Sequence, residues 1–311
     1  MFVLATGVVT PPLYSQSPIV RLRIGLVVPA TASVQTLSTS QGVRLGAAES
    51  KQTAALFGGS VDLYEEVASG AAGANAAAAK LLAKRKVHVL IAAAAEDVAT
   101  LSQFAELNRV AFMNIASRSA SLRSACRRYT FHIETPATAY QNASALAATQ
   151  AEKPTTPRGS SALMNVDSVV LWSPLLERFG ASQLNDRYRA MFNGRMDAAA
   201  WAGWIAVKTV SEAALRARST DPQKILRYLE APSTQFDGHK GWPLTFRRSD
   251  HQLRQPLYIV AAGKGSRSAG APPIRDVPDV KLLSSGSNNP VSLLDKLLAR
   301  PGSRGCSWLP L

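Results

Sequence analysis

Residues 87–115 read VHVLIAAAAEDVATLSQFAELNRVAFMNI. Val87 to Ala92 is a short apolar run. Glu96 and Asp97 follow where a helix N-terminus favours acidic side chains, and Val98, Leu101 and Ala105 then recur at helical spacing. Val110 to Ile115 is a second apolar run. A strand, a helix and a strand in about 30 residues form a right-handed crossover between parallel strands.

The same alternation extends outward in both directions. Upstream, Leu22 to Pro29 reads as a buried strand, followed by a Thr- and Ser-rich loop and a helix from about Gln41 to Leu56. Gly58-Gly59 breaks that helix, and Val61 to Val67 is the next strand. A helix is expected from Ala71 to Lys86. Ala74, Ala77, Ala78, Leu81 and Leu82 share one of its faces, and Lys84, Arg85 and Lys86 suit its C-terminal dipole. Downstream, Tyr129 to Ile133 is a fifth strand. The fold class is therefore α/β, a parallel sheet with flanking helices.

Ligands of such sheets sit beyond the carboxyl ends of the strands. The residues expected there are Thr31, Ser33, Glu96, Asp97, Ser117 and Ser119, with Trp172 at the end of a sixth strand, Asp167 to Trp172. Each has a plainer reading too: Glu96-Asp97 as helix-capping acids, the serines as ordinary loop residues. Trp201 and Trp204, at helical spacing, read as core.

Thr138 to Thr149 reads as a helix leaving the first unit, and Ala151 to Ser161, with two prolines, as a linker or exposed loop. Ala181 to Ala262 reads as helices followed by two strands. Leu184, Tyr188, Met191 and Phe192 share a helical face, Asp197 is an N-cap, and Asp221-Pro222 opens another helix. Trp242 to Phe246 and Pro256 to Val260 are expected to pair around a polar turn. Beyond Gly263 the chain is rich in Gly, Ser and Pro until a short helix near Val291 to Leu298.

Composition narrows the function classes. A chain of 311 residues with 46% apolar and 18% charged residues is a folded protein long enough for two domains. The formal charge of +14 is spread over small groups such as Arg127-Arg128 and Arg247-Arg248. No long basic run interleaved with aromatics appears, so no nucleic-acid partner is expected. The two cysteines, Cys126 and Cys306, and the four histidines are dispersed, which disfavours a metal site. In an oxidising compartment the cysteines can form one long-range disulfide; two separate thiols are the other reading. The apolar start, MFVLATGVVTPPLYSQS, is like the tail of a secretory signal peptide without its basic region. No glycine-rich dinucleotide fingerprint follows the first strand, and no GxSxG elbow occurs. No nucleophile–base pairing is apparent, so no enzyme activity and no cofactor are expected.

The order of elements resembles the type I periplasmic solute-binding proteins of ABC transporters, the group that includes the branched-chain amino-acid binders. RIGLVVP, QGVRLGAAES, VDLYEEVAS, KLLAKRKVHVLI, VAFMNIAS and CRRYTFHIETPA carry the resemblance in the first half. ASQLNDRYRAMFNGRMDAAAWAGWIAVKTVSEAA, DPQKILRYL and GWPLTFRRSDHQLRQPLYIV carry it in the second. The phrase Phe246 to Pro256, the CRR segment and the late cysteine are most similar to the branch associated with PQQ-dependent alcohol catabolism.

The resemblance implies a periplasmic binding protein that acts as a monomer, closes two lobes on a small metabolite and delivers it to an ABC permease. It divides the chain into a signal-peptide remnant (1–20), a first α/β lobe (21–150), a reduced second lobe (151–262) and a peripheral tail (263–311). Two departures accompany it. The family's second lobe has its own βα units, where this chain has only the loop from Ala151 to Asn165. Amino-acid binders place Ser and Thr hydroxyls after the third and fourth strands, where this chain has Ala92 to Ala95 after the third. The alternative function is a ligand sensor or scaffold that has lost the transport cleft.

Overall fold

The computed structural model describes residues 19–151, 168–260, 274–276, 295–298 and 305–308. The leader-like start, nearly all of the expected linker and most of the tail lie outside the described residues.

Five parallel strands form the main sheet: β1 (Arg21–Pro29), β2 (Ser60–Ala68), β3 (Val89–Ala92), β4 (Ala111–Asn114) and β5 (Thr130–His132), in the order β2-β1-β3-β4-β5. Helices α1 (Val34–Ala55), α2 (Gly70–Lys80), α3 (Val98–Asn108), α4 (Ala120–Ser124) and α5 (Ala137–Ala151) follow the strands in turn. Strand side chains alternate between two cores, as a pleat with both faces covered requires. Leu22, Ile24, Leu26, Val89, Ile91 and Met113 enter one core, while Val27, Leu90, Ala92 and Phe112 enter the other with α2 and α3.

Helix α1 begins at Val34, earlier than the expected Gln41. Ser33 and Thr36 form a reciprocal capping box: each side chain takes the other's backbone N–H. The hydroxyl-rich stretch that reads as a loop is thus the first two turns of the helix.

The second half supplies α6 (Ala181–Phe192), α7 (Ala198–Arg216) and α8 (Pro222–Glu230). Asp197 caps α7 through Ala200 N at 2.8 Å, and Asp221 caps α8 through Lys224 N at 3.0 Å. Helix α7 lies parallel to α1 at backbone contact distance. Gly42 faces Ala200, Gly46 faces Trp204, and Gly203 faces Thr39 and Val43. Polar ties run beside this seam, from Tyr188 Oη to Gln41 (2.7 Å), Arg187 to Glu49 (2.6 Å) and Trp204 Nε1 to Glu49 (2.8 Å).

Trp201, Trp204, Ile205, Val210, Ile225 and Leu229 therefore share one core with β1, β3, β4 and β5. Helices expected in the reduced second lobe, 151–262, thus pack on α1 and the main sheet. An apolar stripe shows that a helix needs a partner, but it does not name the partner.

The expected hairpin is corrected. Strand β8 (Pro243–Phe246) pairs with β7 (Phe236–Asp237) and β9 (Leu253–Arg254), whereas β10 (Tyr258–Val260) joins β6 (Ser168–Val170) and β11 (Ile274–Asp276). Arg247 forks onto Asp250 and closes a tight turn, so the chain returns at Leu253 rather than at Pro256. Lys240 sits buried where these segments meet. Its Nζ donates to Leu171 O (2.7 Å), Gln255 Oε1 (2.9 Å) and Pro256 O (3.0 Å), and lies 3.9 Å from the Trp201 ring centroid. Burial pushes this ammonium well below the ordinary lysine range.

Cys126 and Cys306 are joined in a disulfide that bridges 180 positions of sequence. It holds the described tail against the turn after β8. Cys306 N donates to Ser249 O at 2.7 Å, and Trp308 stacks on His251 with centroids 3.9 Å apart.

Candidate functional site

The carboxyl edge of the main sheet gathers the loops after β1, β3, β4 and β5. Asn114, fully buried at the end of β4, shapes the loop that follows. Its Oδ1 accepts from Ser117 N (2.9 Å) and its Nδ2 donates to Ser117 O (2.9 Å). Nδ2 also lies 3.0 Å from His132 Nδ1, so β4 and β5 are tied at their ends.

A charged cluster occupies the end of β5. Glu134, 5% exposed, accepts at Oε1 from Tyr140 Oη (2.7 Å), Thr135 N (3.1 Å) and Arg118 Nε (3.2 Å). Burial raises the Glu134 carboxyl above the usual carboxylate range, opposed by Arg118, Tyr140 and Arg123. Burial and the Glu134 charge push the Tyr140 hydroxyl up as well. Arg118 keeps about half of its side chain in solvent and stacks on the Tyr140 ring at 4.1 Å.

Beneath this cluster, buried Arg123 donates to Ser119 O (2.8 Å), Gln252 Oε1 (2.8 Å) and the Glu134 carbonyl. Gln252 returns Nε2 to His132 O (3.1 Å) and Glu134 O (3.2 Å), and Gln255 donates to Ile133 O (2.6 Å). The segment Phe246 to Pro256 is thus a clamp under the strand ends. Arg128 and buried His251 both meet Glu230, at 3.4 and 3.0 Å, and extend the clamp to the disulfide. His251 and Arg128 hold Glu230 below its usual range against the opposing effect of burial.

The sequence-expected residues fall into three groups. Thr31, Glu96, Ser117 and Asp97 lie at the strand edge, with Thr31 and Glu96 exposed, Ser117 half-buried and Asp97 buried at 3% exposure. Asp97 stands at the N-terminus of α3 with helical dihedrals and makes no side-chain cap, so the capping reading does not describe it. Burial, with the neighbouring Glu96, raises its carboxyl. Ser33 and Ser119 are engaged locally, Ser33 in the α1 capping box and Ser119 Oγ 2.7 Å from Ser121 Oγ. Trp172 is 2% exposed, stacks on Trp201 at 5.8 Å and donates Nε1 to Asn185 at 3.0 Å, so it packs in the core, away from the other expected residues.

Arg118, Glu134, Tyr140 and the bracing Arg123 and Gln252 escaped the sequence reading. A glutamate directly after an expected strand, with a proline two residues on, was the available signal for Glu134. The arginines gave none, because scattered arginines are ordinary surface residues. Among the described residues no group of three or more His, Cys, Asp or Glu is placed to hold a metal. The edge offers a carboxylate, a guanidinium and hydroxyls in fixed positions, a set suited to holding a small polar solute.

A family model described as periplasmic binding protein matches residues 151–267. No curated protein matches the chain. Several solved structures are similar in fold. A branched-chain amino acid ABC transporter periplasmic ligand-binding protein from Burkholderia xenovorans LB400 has a TM-score of 0.68 at 12% identity, covering 82% of this chain and 94% of that one. The branched-chain amino acid transporter substrate binding protein of Streptococcus pneumoniae, in complex with isoleucine, has a TM-score of 0.62 at 15% identity, covering 82% and 100%. A solute binding protein of an ABC transporter from Rhodopseudomonas palustris BisB5, in complex with 3,4-dihydroxy benzoic acid, has a TM-score of 0.62 at 12% identity, covering 83% and 98%. The parallel sheet with flanking helices described above is therefore the α/β fold of the type I periplasmic binding proteins.

Proposed function

We propose that this chain is the substrate-binding component of an ABC transporter, holding a small polar solute at the carboxyl edge of the main sheet. Asp97 carries the reading: a carboxylate-bearing residue only 3% exposed, engaged in no cap of its own helix, standing where ligands of parallel sheets bind. Burial raises its carboxyl, and a cationic or hydroxylated group of a solute would favour the ionised form. Arg118, Ser117 and Thr31 would meet the solute's acceptors. The protein would act as an exported monomer that passes its solute to a permease, and the disulfide suits an oxidising compartment.

The resemblance of Phe246 to Pro256 to the PQQ-associated branch supports a solute related to alcohol oxidation. That segment lies beneath the strand ends as a clamp, so its contribution to specificity would be indirect. The second reading is a sensor or scaffold with a reduced cleft. Among the described residues between α5 and α6, the one strand is β6.

Thermal unfolding against short alcohols, short-chain acids and amino acids tests the proposal. A solute at about 100 times its Kd stabilises the folded state by about 2.7 kcal/mol. Asp97→Asn removes a buried charge, so it is expected to stabilise the free protein while weakening the solute. Asp97 is raised in the fold, so its ionised form opposes folding as pH rises through its folded pKa. No stabilisation by any compound, or stabilisation unchanged in Asp97→Asn and Arg118→Gln, would sink the reading.

A further inference from the structure

A cavity lies at the opposite edge of the sheet from the strand-end cluster, between the C-terminal halves of α1 and α7. Its volume is about 770 Å³, within the range of small-molecule sites. Val20, Phe57, Leu215 and Trp204 give it apolar walls.

The polar lining is short of acceptors to match its donors. Ser211 is 2% exposed, and its Oγ has no hydrogen-bond partner among the described residues. Ser50, on the facing helix, is 8% exposed and also lines the cavity. Half-buried Lys208 places Nζ 5.1 Å from the Trp204 ring centroid. Of the two lining carboxylates, Glu49 is fully engaged and Glu212 is partly neutralised. Both oxygens of Glu49 are taken, by Arg187 and by the Trp204 indole. Glu212 faces Arg216 at 3.7 Å.

Two helix C-termini would ordinarily repel an anion. Here their last carbonyls are capped by the chain itself. Gly59 N donates to Ala54 O (2.9 Å), Gly58 N to Ala55 O (3.0 Å), Ala217 N to Ala213 O (2.9 Å) and Ser219 N to Ala214 O (3.0 Å). The lining then holds the Lys208 ammonium, the guanidiniums of Arg216 and Arg218 and the hydroxyls of Ser50, Thr53 and Ser211 against the carboxylates of Glu49 and Glu212, so cationic groups outnumber acidic ones.

We infer that this cavity is a second ligand site, for a small carboxylate with an apolar body, its carboxylate held by Lys208, Ser211 and Ser50. It is distinct from the strand-edge site and does not depend on the proposed transport role.

Benzoate is the probe, titrated into the full chain while amide and indole signals are followed by NMR. Saturable shifts are expected at the Trp204 indole N–H and around Ser211, with a Kd below about 10 mM, the regime of a small fragment. Lys208→Met and Ser211→Ala should each weaken binding about tenfold. Ser117→Ala should leave it unchanged. Thermal melts check that the variants are folded, and Lys208→Arg should restore part of the affinity. No saturable shift would mean that benzoate does not enter the cavity, and wild-type affinity in both Lys208→Met and Ser211→Ala would mean that these side chains do not hold it. Shifts centred on Asp97 and Ser117 would place benzoate at the strand edge. Each of these results overturns the inference.

Discussion

The α1–α7 seam makes a prediction with an internal control. Alanine exceeds glycine in helix propensity by about 1 kcal/mol, so Gly→Ala in a helix interior is stabilising where space allows. At Gly42 it does not, because a Cβ there would stand 1.9 Å from Ala200 O, on the backbone of the facing helix. Ordinary contact begins near 3.4 Å, so the helices would have to part by about 1.5 Å. A gap of that size forfeits a large share of the dispersion contacts along the seam, where Val43, Trp204 and Val207 are buried. Overpacking costs about 1–3 kcal/mol, and a clash with facing backbone stands at the upper end, which leaves Gly42→Ala with a net loss of about 2 kcal/mol. Gly73, in α2, is the control. Its nearest contact for an added Cβ is Ala68 C at 3.4 Å, so Gly73→Ala should gain up to about 1 kcal/mol. Urea denaturation with linear extrapolation measures both. If Gly42→Ala were as stable as wild type, or if both variants moved in the same direction, the close packing of α1 on α7 would be refuted.

Two further outcomes follow from the covalent and titratable groups. Replacing Cys306 by Ser releases a loop of 180 positions; chain entropy puts the loss near 5 kcal/mol, seen as a lowered urea midpoint that dithiothreitol does not lower further. His88 Nδ1 accepts from Arg23 N at 3.1 Å, and burial with the Arg23 charge lowers this imidazole to about 4. The unfolded chain therefore binds this proton first. The His88 contribution is present above the ordinary value of 6.5 and is lost as pH falls toward about 4. His88→Asn retains an acceptor for Arg23 N without titrating, so its urea midpoint should fall less across that range.

The parallel sheet was legible because its signals are local. Apolar runs such as Val87 to Ala92 and helical stripes such as Val98, Leu101 and Ala105 report periodicity directly, and the strands stand within two residues of their expected ends. Asp197 and Asp221-Pro222 marked their helix starts because a cap acts within one turn. Helix α1 was misplaced at its start because Ser33 and Thr36 have the composition of a loop and the geometry of a capping box.

The sequence by itself thus determined the α/β class, the order of elements and the edge where Asp97 and Ser117 stand. Pairing across the chain was decided by the tertiary structure. The 181–260 segment showed apolar faces without naming their partner, and the glycines at 42, 46 and 203 joined α7 to α1 inside the first core. Pro256 and the Arg247–Asp250 fork sent β10 to β6 rather than to β8. The cluster of Arg118, Glu134, Tyr140, Arg123 and Gln252 unites residues up to 134 positions apart. Periodicity and capping act over a few residues, whereas burial, charge pairing and close backbone approach depend on which distant surfaces meet.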